Sequence, residues 1–235
     1  MIDAHSHILP GIDDGSRSVE ESIQMLRAEA EQGVQRVIAT PHFYAHSDTP
    51  ERFLNRRAES EAILRQEMRK HDGLPKLSIG AEVYFFHGIS ESELINRLTI
   101  DKKSCILIEM TEAPWGESVY AELEGISKKQ GLIPIVAHVD RYISRFRTHS
   151  IPERLAELPV LVQANASFFL RPWTAPLAMR MLRNDQIQLL GSDCHNLSDR
   201  KPNLGAARAA IEKKLGMEAL QRLELYETEL ELSGL

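Results

Sequence analysis

In Met1-Ile2-Asp3-Ala4-His5-Ser6-His7 a short strand, Met1 to Ala4, runs straight into two imidazoles separated by one residue. Side chains two apart in an extended chain share a face, so His5 and His7 are set up to chelate. The same arrangement recurs along the chain. A strand over Arg36 to Ala39 is followed by His42, and Leu77, Ile79, Ala81 and Val83 alternate as a third strand ending at Glu82. Cys105 to Ile108 precedes Glu109, and Leu132 to Ala137 precedes His138. A sixth strand covers Pro159 to Ala164, and a seventh, Gln188 to Leu190, leads into Asp193 and His195. The intervening helices carry their own start and stop signals. Ser18-Val19-Glu20-Glu21 is a capping box opening a helix with apolar Val19, Ile23, Leu26 and Ala30 and a stop at Gly33. Thr49-Pro50 puts a cap and an N1 proline on a helix to about His71. Further helices are expected over Glu117 to Gln130, Pro176 to Arg183 and Pro202 to Leu215. Strands separated by helices are parallel, because each crossover carries a helix. An open sheet would spread the polar strand ends across its width at roughly 4.8 Å per strand. A closed barrel gathers them at one mouth, so a seven-stranded α/β barrel is the expected fold.

The 235 residues, 43% hydrophobic and 26% charged, suit a single domain spanning 1–235. With 28 Lys+Arg against 34 Asp+Glu the formal charge is -6, which argues against nucleic acid and anionic membrane as partners. No apolar run is long enough to span a bilayer and the N-terminus lacks a basic and apolar leader pattern, so a cytoplasmic protein without direct membrane insertion is expected. The two cysteines, Cys105 and Cys194, form no CxxC, which speaks against a disulfide framework and a thiolate zinc site. Segment 216–235 is polar with scattered leucines and is expected to pack on the barrel or on a neighbouring subunit. His46, His71, His87 and His149 read as surface or supporting groups.

Any one of the strand-end residues is unremarkable as a capping carboxylate or a hydrogen-bonded imidazole. Their accumulation is a different matter. Gathering Asp14, Glu82, Glu109 and Asp193 with His5, His7, His42, His138 and His195 is tolerable only if cations compensate the charge. Divalent metals would do so. Nine ligands exceed the needs of one ion with positions open for water and substrate, so two or three ions are expected. A carboxylate and imidazole donor set favours Mn²⁺ or Fe²⁺, with Zn²⁺ also able to bind.

His5-x-His7, Asp14, Thr40-Pro41-His42, Glu82, Glu109, Ala137-His138 and Ser192-Asp193-x-His195 resemble, in order, the ligand motifs of the polymerase and histidinol phosphatase (PHP) superfamily. Asp3-x-His5-Ser6-His7-Ile8-Leu9-Pro10-Gly11-Ile12-Asp13-Asp14-Gly15 is more specific. It is similar to the signature of bacterial manganese-dependent tyrosine-protein phosphatases of capsule and exopolysaccharide systems, as are Ile38-Ala39-Thr40-Pro41-His42, Ile133-Pro134-Ile135-Val136-Ala137-His138 and Arg141-Tyr142. The resemblance implies a distorted seven-stranded (β/α)7 barrel with its metal site at the carboxyl ends of the strands. It implies one ion on His5, His7, Glu82 and Asp193, a second on Glu82, Glu109 and His138, and a third on Asp14, His42 and His195. Arg141 and Arg200 match the phosphate-binding arginines, and paired guanidinium donors suit phosphoryl oxygens. The implied reaction is hydrolysis of protein phosphotyrosine by a metal-bridged hydroxide, with a bacterial tyrosine autokinase as the implied partner. Val139-Asp140 and Cys194 depart from the usual pattern and bear on the shape of the mouth.

Three other readings compete. Cys194-His195-Asn196-Leu197-Ser198-Asp199-Arg200 satisfies the C-x5-R pattern of cysteine-dependent tyrosine phosphatases, but has no internal glycine for an amide cradle and sets the thiol between two metal ligands. Hydrolysis of histidinol phosphate or another small phosphomonoester would use the same ligands. A catalytically inactive, metal-stabilised scaffold would close its coordination, whereas two arginines beside nine ligands leave room for an anion.

Overall fold

The computed structural model of the chain describes residues 1–146 and 150–232, with 144–146 and 231–232 described in backbone only; His149 and the end of the 216–235 segment lie outside the described residues. Among the described residues, nine parallel strand segments form two hydrogen-bonded sheets. One has the order β1 (Ile2–Ser6), β2 (Arg36–Ala39), β4 (Lys76–Ile79). The other runs β3 (His42–Phe43), β5 (Glu82–Tyr84), β6 (Cys105–Glu109), β7 (Ile133–Val136), β8 (Leu161–Asn165), β9 (Leu189–Gly191).

The strand count differs from the seven expected, and the chain itself shows why. β2/β4 and β3/β5 pair residues 40 apart throughout, Arg36 with Lys76 and His42 with Glu82, so each pair continues the other. Proline has no N–H to add to a ladder. The break falls at Thr40-Pro41 and Gly80-Ala81, yet Gly80 N donates to Ala39 O (2.9 Å) and Glu82 N to Pro41 O (3.0 Å) across it. Glu82, expected at the end of the third strand, therefore starts a new segment. On the far side, Asp193 N donates to His5 O (2.8 Å) and His7 N to Cys194 O (2.9 Å), drawing the end of β9 against β1. The architecture is an α/β fold on a curled parallel sheet.

One irregularity in β1 aims the site. Ile2 and Asp3 pair with residues 34 further on, whereas Ser6 pairs with Ala39, 33 further on, so β1 carries one extra residue. Such a bulge reverses the side on which later side chains fall. Asp3 turns outward to hydrogen-bond Ser192, while His5 and His7 turn to the inside of the curl.

Inside the curl, Ile2, Ala4, Ile38, Leu107, Ile135 and Leu189 form a small core. The larger core lies between the sheet's outer face and the helices, joining Val37, Ile106 and Val136 to Leu26, Leu123 and Leu182. Those helices are α1 (Val19–Glu31), α2 (Pro50–Met68), α3 (Glu117–Gln130), α4 (Val139–Phe146), α5 (Ser150–Ala156), α6 (Ala166–Leu170), α7 (Ala175–Arg183), α8 (Leu204–Leu215) and α9 (Met217–Leu232). Caps act where the sequence places them: Ser18 Oγ accepts from Glu21 N (3.2 Å) and Thr49 Oγ1 from Arg52 N (3.3 Å). α9 contributes Leu220 and Leu223 to the large core and Leu230 to the small one. Its buried Glu227 accepts from Ile2 N (3.0 Å) and Arg208 Nη1 (3.1 Å), fastening the helix over the amino ends of the strands, opposite the polar mouth.

Candidate active site

All nine side chains named from the strand ends meet at the carboxyl side of the sheet. His5 Nε2 and His7 Nε2 face each other at 3.1 Å, each lies 3.2 Å from Glu82 Oε2, and each lies 3.6 Å from Asp193 Oδ1. Glu82 is shared. Its Oε1 is 2.8 Å from His138 Nε2, which stands 3.6 Å from Glu109 Oε1, and its Oε2 is 3.0 Å from His42 Nδ1. Asp14 Oδ1 lies 3.5 Å from His42 Nε2 and 3.4 Å from His195 Nε2, and His7 also comes within reach of this last group.

The residues suit divalent ions. Donor atoms around one small ion sit about 3 Å apart when its bonds are near 2.1 Å, which is the spacing of the His5, His7 and Glu82 atoms. Moreover His42 Nδ1, Glu82 Oε2 and His195 Nε2, which face the cluster, are buried without an aligned hydrogen-bond partner, a cost proteins avoid unless another ligand is intended. Protonation follows the same crowding. Burial opposes charge at His7, yet the hydrogen bond to Asp13 and the adjacent Glu82 carboxylate push its imidazole up to about 10. Burial is likewise outweighed at Glu82, where the charge of His5 and the hydrogen bond from His138 hold the carboxyl well below its usual range. Burial and the charge of Glu82 raise Glu109; burial and the charge of His7 push His195 down to about 4.

Two cations edge the cluster. Arg141 Nη2 donates to Asp193 Oδ2 and its Nη1 is 3.8 Å from Glu109; Arg200 Nη2 donates to Asp193 Oδ1 (2.8 Å) and its Nη1 is 3.8 Å from Asp14. Arg141 is 42% and Arg200 35% exposed at the side chain, so both heads border the mouth. His138 and Asp193 hold φ of 33° and 52°, the left-handed region that non-glycine residues adopt at a cost of about 1–3 kcal/mol. Hydrogen bonds from His138 N to Gln163 Oε1 (2.6 Å) and from Asp193 N to His5 O hold these turns in place.

A sequence model of the family described as "Capsular polysaccharide synthesis, CpsB/CapC" matches residues 1–231. The chain belongs to the CpsB/CapC family. Tyrosine-protein phosphatase YwqE of Bacillus subtilis is 30% identical over 227 residues, covering 93% of this chain and 86% of the relative. Tyrosine-protein phosphatase CpsB of Streptococcus pneumoniae is 27% identical over 233 residues, covering 95% and 94%. Crystal structures of these two proteins, described as metal-dependent tyrosine phosphatases, include a chain that superposes with a TM-score of 0.85 at 25% identity, covering 99% of this chain and 94% of that one. A putative histidinol phosphatase, hisK of Listeria monocytogenes, shares the fold at a TM-score of 0.51 and 12% identity, covering 85% of this chain and 97% of that one.

Around the cluster, this CpsB/CapC chain uses polar residues that the ligand pattern does not single out. Asp13 Oδ2 accepts from His7 Nδ1 (2.8 Å) and His42 N (3.1 Å), and its Oδ1 accepts from Gly15 N (3.0 Å). On β8, Gln163 Oε1 lies 3.2 Å from His5 Nδ1, Gln163 Nε2 donates to Asn165 Oδ1 (3.1 Å), and Asn165 Nδ2 donates to Asp193 Oδ2 (3.0 Å). The signal was available: Gln163 and Asn165 alternate within an apolar strand, and buried amides demand partners. Outside the curl, Ser192 gives Asp3 both its N–H (2.8 Å) and its hydroxyl, while Cys194 Sγ lies 3.9 Å from Glu29 Oε1. Cys194 is thus buried beneath α1, facing away from the mouth. Burial together with Glu29 and Asp3 raises its thiol well above the usual range, which removes the C-x5-R nucleophile. The Val139-Asp140 departure also turns inward: Val139 is core, and Asp140 Oδ1 accepts from Asn165 N (3.0 Å).

Proposed function

We propose that this chain is a metal-dependent protein-tyrosine phosphatase whose ions are held by His5, His7, Glu82 and Asp193, by Glu82, Glu109 and His138, and by Asp14, His42 and His195. The observation that carries this is the pair of guanidinium groups, Arg141 and Arg200, aimed from the rim at one carboxylate of a cluster built for cations. The kinship with YwqE and CpsB supports phosphotyrosine on a protein as the substrate. A tyrosine autokinase serving capsule synthesis is the partner we favour, Mn²⁺ the native ion and the cytoplasm the location. The two sheets are best regarded as one distorted barrel of seven extended runs, forming with α9 a single domain over 1–235.

Bound divalent ions supply Lewis acidity toward phosphoryl oxygens and activate water at neutral pH. The residues supply the rest. Arg141 and Arg200, which both reach Asp193, donate paired hydrogen bonds to the phosphoryl oxygens and neutralise charge that grows in the transition state. Asp13 and Gln163 hold the His7 and His5 rings in fixed orientation. With Cys194 turned away, no thiol reaches the phosphoryl group and no phosphocysteine forms. The phenolate leaving group, with a pKa near 10, demands only a weak acid.

The test compares a phosphotyrosine peptide with histidinol phosphate on purified protein of measured metal content. The peptide should be the better substrate, with turnover lost on chelation and restored by Mn²⁺. Cys194→Ala should keep most activity, and Asp193→Asn should lose about two orders of magnitude or more. Preference for histidinol phosphate, or an inactive Cys194→Ala protein with full metal content, would overturn the proposal.

A further inference from the structure

Beside the ion cluster, and continuous with it through Asp14 and His42, lies a cleft of about 490 Å³. Its remaining lining comes from Ile12, Asp13, Tyr44, Ser47 and Asp48 and from two arginines of α2. Three carboxylates of the lining, Asp13, Asp14 and Asp48, outnumber those arginines. Arg56 is hydrogen-bonded to Asp48 and to Ile12 O (3.1 Å), and Arg52 Nε lies 3.8 Å from the same Asp48. The cleft therefore offers little to a second anion. What distinguishes it is aromatic: the half-buried Tyr44 stacks on the His42 ring at 5.3 Å and 29°, and Tyr84, two residues past Glu82, stands 5.7 Å from it. The imidazole thus fixes one side of the Tyr44 ring, and the ring presents part of its surface to the cleft.

Resting on the phosphatase reading above, we infer that the Tyr44-walled cleft is the subsite for the aryl group of the substrate, and that Tyr44 selects aryl over alkyl phosphate esters. An ester whose phosphoryl group lies between the arginines and the cluster can direct its organic substituent past Asp14 and His42 into this space. A flat ring packs against Tyr44 there, whereas a short alkyl group leaves the wall uncovered. Aromatic pairing of this kind changes binding by about threefold to tenfold.

The inference is tested by titration calorimetry of the Mn²⁺-loaded protein with phenylphosphonate and methylphosphonate, which carry the same anionic head and resist hydrolysis. Wild type should bind the phenyl compound more tightly. Tyr44→Ala should lower the phenyl-to-methyl affinity ratio by about threefold to tenfold, and Tyr44→Phe should restore it. If Tyr44→Ala folds poorly, Tyr44→Leu, which keeps bulk without a ring, should show the same reduced ratio. An unchanged ratio in the folded non-aromatic variants, or no phenyl preference in wild type, overturns the subsite even if phosphotyrosine peptide is hydrolysed. Loss of peptide hydrolysis alongside a Tyr44-dependent ratio would instead overturn the phosphatase reading and support the subsite.

Discussion

Asp13 shows how much one carboxylate outside the ligand set can do. It fixes the His7 ring through Nδ1, ties down the backbone at His42, and closes the Asp13-Asp14-Gly15 turn through Gly15 N. Burial would raise it, but the hydrogen bond and charge of His7 hold it down to about 2, so it stays ionised and keeps the His7 ring oriented with Nε2 toward the cluster. Asp13→Asn preserves shape while removing the charge that sets this orientation. Metal affinity, measured by equilibrium dialysis with elemental analysis, should fall about 10- to 100-fold with the fold intact by circular dichroism. Wild-type affinity would remove Asp13 from this role. The adjacent Asp13-Asp14 pair also shows the limit of residue-level reading: both are acidic and in the same turn, and only the folded chain separates the one that faces His7 from the one exposed at the mouth.

At the level of elements, the extra residue in β1 and the close packing of β9 against it settle where the imidazoles point. Gly191 sits at that contact. A Cβ there would come within 2.6 Å of His5 Cβ and 2.7 Å of Gln163 Nε2, so β9 can approach β1 and β8 only through a glycine. Gly191→Ala should cost about 1–3 kcal/mol in denaturant unfolding, since crowding of this kind forces backbone or side-chain shifts. It should also weaken metal binding by displacing His5. Unaltered stability and metal affinity would show that the neighbours yield freely. The helices with clear caps, α1 and α2, were legible from Ser18 and Thr49-Pro50. The short α4, α5 and α6 were not, because eight, seven and five residues are too few to display a helical period. The division of two expected strands was equally hidden: Pro41 is visible in the sequence, but its effect depends on which neighbour its missing N–H would have met.

Across the molecule, stability and function compete for the same groups. The cores on both faces of the sheet and the α9 clamp through Glu227 hold together a mouth in which His5, His7, Glu82, His138, Asp193 and His195 are all nearly buried. Arg141 and Arg200 meet this crowding at Asp193 from the rim. Ions binding the folded state alone stabilise it by about 2.7 kcal/mol at a concentration a hundred times the dissociation constant. For a chain of this length that corresponds to roughly 5–10 °C. Scanning calorimetry should therefore show the melting temperature dropping by this amount on chelation and recovering with Mn²⁺. An unchanged melting temperature would mean that the cluster does not hold ions in the folded protein.

The chemical types at the strand ends, the parallel alternation that carries them to one side, and the glycine and capping signals that bound the larger helices are all legible along the chain. These follow from local periodicity and from the rule that like-directed strands end together. Which atoms face one another is set by long-range packing. The β1 bulge sends Asp3 outward and His5 inward although they are two residues apart. Gln163 and Asn165 join His5 to Asp193 from a strand that offers no ligand of its own, and Cys194 is turned under α1 while its neighbours Asp193 and His195 enter the site. Each of these depends on register between segments distant in sequence, where a shift of one residue reverses a side chain and no local pattern records the choice.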